Sequence, residues 1–302
     1  MRIPAALTLV ILAAASNSAQ SSEVYWTPAH ELAPVDILPY PAAGDLDGDG
    51  DYDLSTHLSH DQYWNTGTPQ TPDWELDTTM FGDLPGQEPI GTYGDVDSDG
   101  DLDLMLACGG DRLRFCWNIG TPGEPLWLED ASVLSITWGL PTHTCLDFGD
   151  LDADQDLDLL LVWWSGALRL LENTGTTEEP EWIDGGWIAG IQLGGICPSG
   201  ALGDIDADGD LDFVGIDADR PVRCWENIGS AHSHEFVENP AMLTGVDEPS
   251  NGGWGVELFD IDADTDLDLL IVPWEDGGLL YLNESPVPVE PSSWSAIKAM
   301  FR

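Results

Sequence analysis

Apolar residues in this chain fall in short runs, separated by stretches where polar and apolar residues alternate strictly. The run Leu157-Asp158-Leu159-Leu160-Leu161-Val162 is typical. It carries no helical period and is bounded by turn residues, so it predicts a strand buried on both faces. Just ahead of each such run, aspartates occupy every second position. The first stretch has Asp45, Asp47, Asp49, Asp51 and Asp53. It recurs as Asp95, Asp97, Asp99, Asp101 and Asp103, then as Asp150, Asp152, Asp154, Asp156 and Asp158. The fourth copy is Asp204, Asp206, Asp208, Asp210 and Asp212, and the fifth Asp260, Asp262, Asp264, Asp266 and Asp268. The first aspartates are 50, 55, 54 and 56 residues apart.

Two further landmarks keep the same period. An Asn follows each acidic stretch, in Asn65-Thr-Gly67, Asn118-Ile-Gly120, Asn173-Thr-Gly175, Asn227-Ile-Gly229 and the degraded Asn283-Glu-Ser285. Asn and Gly supply the backbone conformations of tight turns. An aromatic residue precedes each stretch: Trp26, Trp74, Trp127, Trp182 and Phe236. One unit therefore reads strand, acidic loop, apolar strand, hairpin, strand, Asn turn and aromatic strand. Four strands in about 50 residues are the content of one propeller blade, and blades must stack to bury their faces. The fifth unit lacks a closing aromatic strand, while Val24-Tyr25-Trp26 is a spare one at the N-terminus. The prediction is an all-β propeller of five four-stranded blades, closed by the N-terminal strand.

Charge brings in the chemistry. Against 56 Asp and Glu stand only 8 Lys and Arg, a formal charge of −48. A nucleic-acid partner needs a basic footprint, and none is present. Five carboxylates within nine residues repel one another unless a cation sits among them. Hard oxygen donors at alternate positions, with Gly at the sixth for the sharp turn, suit Ca²⁺. All 25 loop aspartates are thus candidate ligands for up to five calcium ions, with side chains at positions 1, 3, 5 and 9 and the carbonyl at position 7. Position 12 is Thr56 or Leu106 where an EF-hand has Glu, and no flanking helix is predicted. Gln155 and Thr265 replace Gly at position 6, which predicts weaker binding at the third and fifth loops.

The acidic loops, Asn turns and period resemble the FG-GAP/VCBS repeat family, whose blades also build integrin α-subunit heads, over about residues 23 to 285. The resemblance implies a loop that joins the innermost strand of a blade to the next and binds Ca²⁺. The chain is most similar to the bacterial secreted type. Two departures stand out: five copies where seven blades are common, and a Phe-Gly signature kept only at Phe148-Gly149.

The ends differ from the repeats. Met1-Arg2-Ile3-Pro4, an apolar run from Ala5 to Ala15 and small polar residues predict a signal peptide over 1–22. The propeller is expected over 23–284, a Pro-rich linker over 285–291 and a sorting-like tail over 292–302. No later run reaches the ~18 apolar residues of a transmembrane segment. The protein is therefore expected to be secreted or at the cell surface. Of the five cysteines, Cys145 and Cys197 precede successive loops, a placement that would let them bridge neighbouring blades. Away from the acidic loops, Trp163, Trp164 and Trp274 are expected in hairpins, and Trp138, Trp187 and Trp254 in inter-blade linkers. Together they form a candidate ligand surface. No nucleophile, P-loop or zinc motif is present. The expected function is a non-catalytic binding or adhesion module for a glycan or protein. The alternatives are a polysaccharide-active lyase or hydrolase, or a structural cell-surface component.

Overall fold

The computed structural model describes residues 24–284, apart from 35–36, 38, 57–60, 81–89, 109–111, 122–123, 135–138, 142, 177–178, 195–197, 231–232, 248–251 and 275–276. The expected signal peptide, Pro-rich linker and tail, together with Trp138 and Cys197, lie outside the described residues. Within them the chain forms strands and two 3₁₀ turns, His30–Leu32 and Pro240–Leu243, and no α-helix.

Four sheets are built from consecutive strands. Blade 1 comprises β2 (Pro41–Gly44), β3 (Asp53–Thr56), β4 (Asp61–Asn65) and β5 (Trp74–Asp77). Blade 2 comprises β6 (Ile90–Gly94), β7 (Asp103–Ala107), β8 (Leu113–Asn118) and β9 (Trp127–Glu129). Blade 3 comprises β10 (Cys145–Gly149), β11 (Asp158–Val162), β12 (Leu168–Asn173) and β13 (Trp182–Trp187). Blade 4 comprises β14 (Ser199–Gly203), β15 (Asp212–Asp217), β16 (Arg220–Asn227) and β17 (Phe236–Glu238). The fifth sheet has β18 (Gly253–Phe259), β19 (Asp268–Pro273) and β20 (Leu279–Asn283), and its outermost strand is β1 (Trp26–Pro28). The first strands of the blades touch in a cycle, β2 to β6 to β10 to β14 to β18 and back to β2. The molecule is a closed five-bladed propeller.

The continuous apolar runs follow from this geometry. Each second strand has a neighbouring blade on either side, so both of its faces are buried. In β11, Leu159 and Leu161 pack with Met105 and Phe115 of blade 2, while Leu160 and Val162 pack with Leu202 and Phe213 of blade 4. Similar clusters fill the other blade interfaces. The residue just before the loop is Gly44, Gly94, Gly149 or Gly203 in blades 1 to 4. A Cβ there would lie within 2.5–2.8 Å of Leu102, Leu157, Leu211 or Leu267 of the next blade. Blade 5 has Phe259 instead, and blade 1 answers it with Tyr52, the rings 5.6 Å apart.

Closure rests on β1. Trp26 pairs with Asn283 and is 1% exposed. Its indole N–H donates to the Met242 carbonyl at 2.6 Å. Removing so large a buried side chain costs about 3–5 kcal/mol. Trp26→Ala should therefore lower the free energy of unfolding in urea by that amount. A loss below about 1 kcal/mol would show that the ring holds without this strand.

Candidate metal centres

The five acidic loops share one backbone conformation. In each, the first carboxylate accepts the backbone N–H of position 6, at 3.0–3.2 Å. In each, the N–H of position 7 donates to the carboxylate of position 5. Two left-handed residues make this turn. At position 6, Gly50, Gly100 and Gly209 have φ of 96–98°, and Gln155 and Thr265 have 78° and 83°. Position 4 is also left-handed, at Gly48, Ser98, Ala153, Ala207 and Ala263. Gln155 and Thr265 reproduce the glycine hydrogen bonds in full, so their strain bears on folding of the loop itself.

The ninth aspartate ties the loop to the rest of the blade. One oxygen of Asp53 accepts the N–H of Leu46, at 3.1 Å, and the other that of Asn65, at 2.8 Å. Asp103, Asp158, Asp212 and Asp268 make the same pair of bonds, to position 2 and to the Asn of the turn. In blades 1 to 4 that Asn side chain caps its own turn, accepting the N–H of the following Gly and of a residue eight further on. The Asn283 side-chain amide also donates to the Ile205 carbonyl of the neighbouring blade 4, at 3.2 Å.

The carboxylates converge. Ligand atoms lie within 4.8 Å of one another in Asp45, Asp47 and Asp49, and in Asp95, Asp97 and Asp99. The same holds for Asp150, Asp152 and Asp158, for Asp204, Asp206 and Asp212, and for Asp260, Asp262 and Asp268. Positions 1, 3, 5 and 9 thus all enter a convergent group in one blade or another. The position 7 side chains, of Asp51, Asp101, Asp156, Asp210 and Asp266, enter none. One oxygen each of Asp51, Asp95, Asp210, Asp262 and Asp266 is buried with no hydrogen-bond partner. Buried carboxylate oxygens without donors are costly. An all-oxygen set of this kind fits a hard cation such as Ca²⁺.

The family model of the FG-GAP-like repeat matches residues 95–161 and 204–271, each segment beginning on the first aspartate of a loop. These two segments match the FG-GAP-like repeat, and the five-bladed ring is consistent with that family. No curated protein matches it in sequence. Among solved structures it is similar to BBS1N in complex with ARL6DN, soaked with mercury or with lead. Identity is 11% for both, coverage 88% or 89% of this chain and 98% of that chain, and the TM-scores 0.41 and 0.43. It is also similar to an arginine-substituted mutant of AofleA from Arthrobotrys oligospora, at 10% identity, 87% and 90% coverage and a TM-score of 0.37. Likenesses at this level carry no statement about what the chain binds.

The candidate tryptophans Trp163, Trp164, Trp187, Trp254 and Trp274 lie at the blade ends opposite the loops. Two of them differ from expectation. Trp187 and Trp254 are in strands, not linkers, because β13 and β18 each run on through a register shift. Trp163 meets Trp187 edge-on at 5.5 Å, and the Arg169 guanidinium sits 4.8 Å over the Trp187 ring while pairing with Asp184. Trp254 packs on Trp274, whose indole N–H donates to the Ala218 carbonyl of blade 4 at 3.0 Å. That pair fastens two blades. Of the described candidates Trp164 and Trp187 are the most exposed, at 59% and 55%, against 39% for Trp274. Of the cysteines, Cys145 is a buried free thiol 3.4 Å from the Ser199 hydroxyl.

Burial of the ninth aspartates gives a pH dependence. Desolvation, reinforced by the other loop carboxylates, pushes Asp53, Asp103, Asp158 and Asp268 up to about 7, and Asp212 to about 8. The folded, metal-free ring thus holds protons that the unfolded chain releases near pH 4. Stability from these groups is full below that and is lost as pH rises towards 8. In chelator the melting temperature should be higher at pH 5 than at pH 8, and calcium should raise it more at pH 8. A metal-free ring that melts higher at pH 8 would contradict this. Separately, Gln155→Gly and Thr265→Gly should each raise the unfolding free energy by about 1 kcal/mol, by relieving left-handed strain.

Proposed function

We propose that the protein is an exported calcium-binding propeller that serves as a non-catalytic binding or adhesion module for a glycan or protein. The observation that carries this reading is the fivefold convergence of loop carboxylates, joined in the first, second, fourth and fifth loops by buried carboxylate oxygens that have no donor. Side chains at positions 1, 3, 5 and 9 of each loop would hold the ion, with the position 7 carbonyl completing the set. The ion would offset part of each loop's charge and fix the loop to its blade root through the ninth aspartate. In this reading its role is structural, and recognition falls to the opposite face, where Trp164 and Trp187 offer flat apolar surface suited to sugar rings or to a protein partner. Among the described residues no helix is long and apolar enough to cross a membrane. That fits a secreted or surface-displayed ring.

The test is calcium titration of the chelator-treated chain by calorimetry, with parallel thermal melts. Uptake of several ions per chain with a large rise in melting temperature is expected. No uptake at millimolar calcium would overturn the metal assignment. Trp164→Ala and Trp187→Ala should each abolish or weaken binding on a glycan or protein array while leaving ion uptake unchanged.

A further inference from the structure

The loop carboxylates are not the only acids facing inward. Two residues before the one that precedes each loop (Gly44, Gly94, Gly149, Gly203 or Phe259), the five repeats carry Ala42, Thr92, Asp147, Ala201 and Glu257. These positions are equivalent, since the register pairs them with Ser55, Met105, Leu160, Val214 and Leu270 of the second strands. The fold accepts alanine here, so the carboxyls of blades 3 and 5 are not required by the repeat.

Both reach across the ring's inner wall. Asp147 accepts the backbone N–H of Leu202 in blade 4 at 2.6 Å and the Thr92 hydroxyl of blade 2 at 3.4 Å. One Glu257 oxygen accepts the backbone N–H of Ala43 in blade 1 at 3.3 Å. The other has no hydrogen bond among the described residues. Both residues are half-buried and, with Thr92, line a cavity of about 460 Å³. The remaining charged groups on its wall are Asp45 and Asp95, with Tyr52 and Tyr93 as the other titratable ones. No Lys, Arg or His lines it.

We propose that this cavity is a sixth hard-cation site, on the axis of the ring, held by Asp147 and Glu257 with the Thr92 hydroxyl and completed by water. A carboxylate taken out of bulk water needs a compensating positive charge or a proton. The protein supplies no positive charge here. Burial holds Asp147 up at about 7, and burial with the repulsion of Asp147 holds Glu257 well above the usual range, as expected of acids without a counter-ion. The donors are all oxygen, and the cavity has room for the waters that bring a divalent ion to six or more ligands. An ion here would cross-link blades that the loop ions cannot connect, because each loop ion lies within one blade.

The site does not depend on the loop assignment, and one experiment separates the two. Calcium bound per chain is measured by equilibrium dialysis on the full chain and on Asp147→Asn/Glu257→Gln, with Glu257→Gln alone as the milder variant. Melts in chelator verify that each is folded. The double variant should bind one ion fewer than the parent, and Glu257→Gln should weaken a single ion while leaving the others. An unchanged ion count would overturn the axial site alone. If the count is unchanged and the double variant melts higher than the parent in chelator at neutral pH, the pair shares a proton instead. Absence of calcium from the parent would overturn both assignments.

Discussion

Asp53, Asp103, Asp158, Asp212 and Asp268 each stand where two chain reversals meet. One oxygen holds the start of the acidic loop and the other holds the Asn turn, which lies 12 residues on in the first blade and 15 in the others. The two partners recur in all five blades. The clamp fixes the hairpin ends at the blade root, and it buries a carboxylate to do so. Much of the remaining architecture is a response to that buried charge. The loop winds back so that three of its carboxylates converge, the ninth among them in blades 3 to 5, and a cation there would relieve the repulsion. Loop winding and blade packing are therefore one problem, solved five times.

Packing between blades sets the second constraint. Because second strands are buried on both faces, every residue of β7, β11 and β19 is buried, and their sequences read as unbroken apolar runs after the clamp aspartate. The blade roots approach so closely that only glycine fits before the loop, except where Phe259 and Tyr52 exchange the glycine–leucine contact for two rings. Closure then needs one strand from outside the repeats. Trp26 provides it by pairing with Asn283, the one turn residue whose sequence motif has decayed.

How much of this the sequence reveals depends on repetition. Blade number, strand order, the closing strand and the acidic loops are legible because each is written several times in one register, so a single weak signal is confirmed by its copies. What occurs once is not legible that way. Asp147 and Glu257 break the repeat at a position otherwise held by Ala42, Thr92 and Ala201, and only the ring brings them to one cavity. Trp187 and Trp254 look like linker residues because strand bulges leave no mark in the hydrophobic pattern. The left-handed position 4 is hidden for a different reason. Four of its five residues are Ser or Ala, which tolerate that conformation only because the carboxylates around them accept the loop amides. The roles of the ninth aspartate and of Gly44 and its equivalents depend on contacts across the sheet and between blades, which spacing alone does not specify.

The central claim is that the ion and the clamp act together at every blade root. Hydrogen exchange of the backbone amides, with calcium and after chelation, tests it most directly. The account predicts that the amides of loop positions 5 to 7 and those of Asn65, Asn118, Asn173, Asn227 and Asn283 all lose protection on chelation, blade by blade. Loop amides that loosen while the Asn amides keep their protection would show that the clamp stands without the ion, and would contradict the claim.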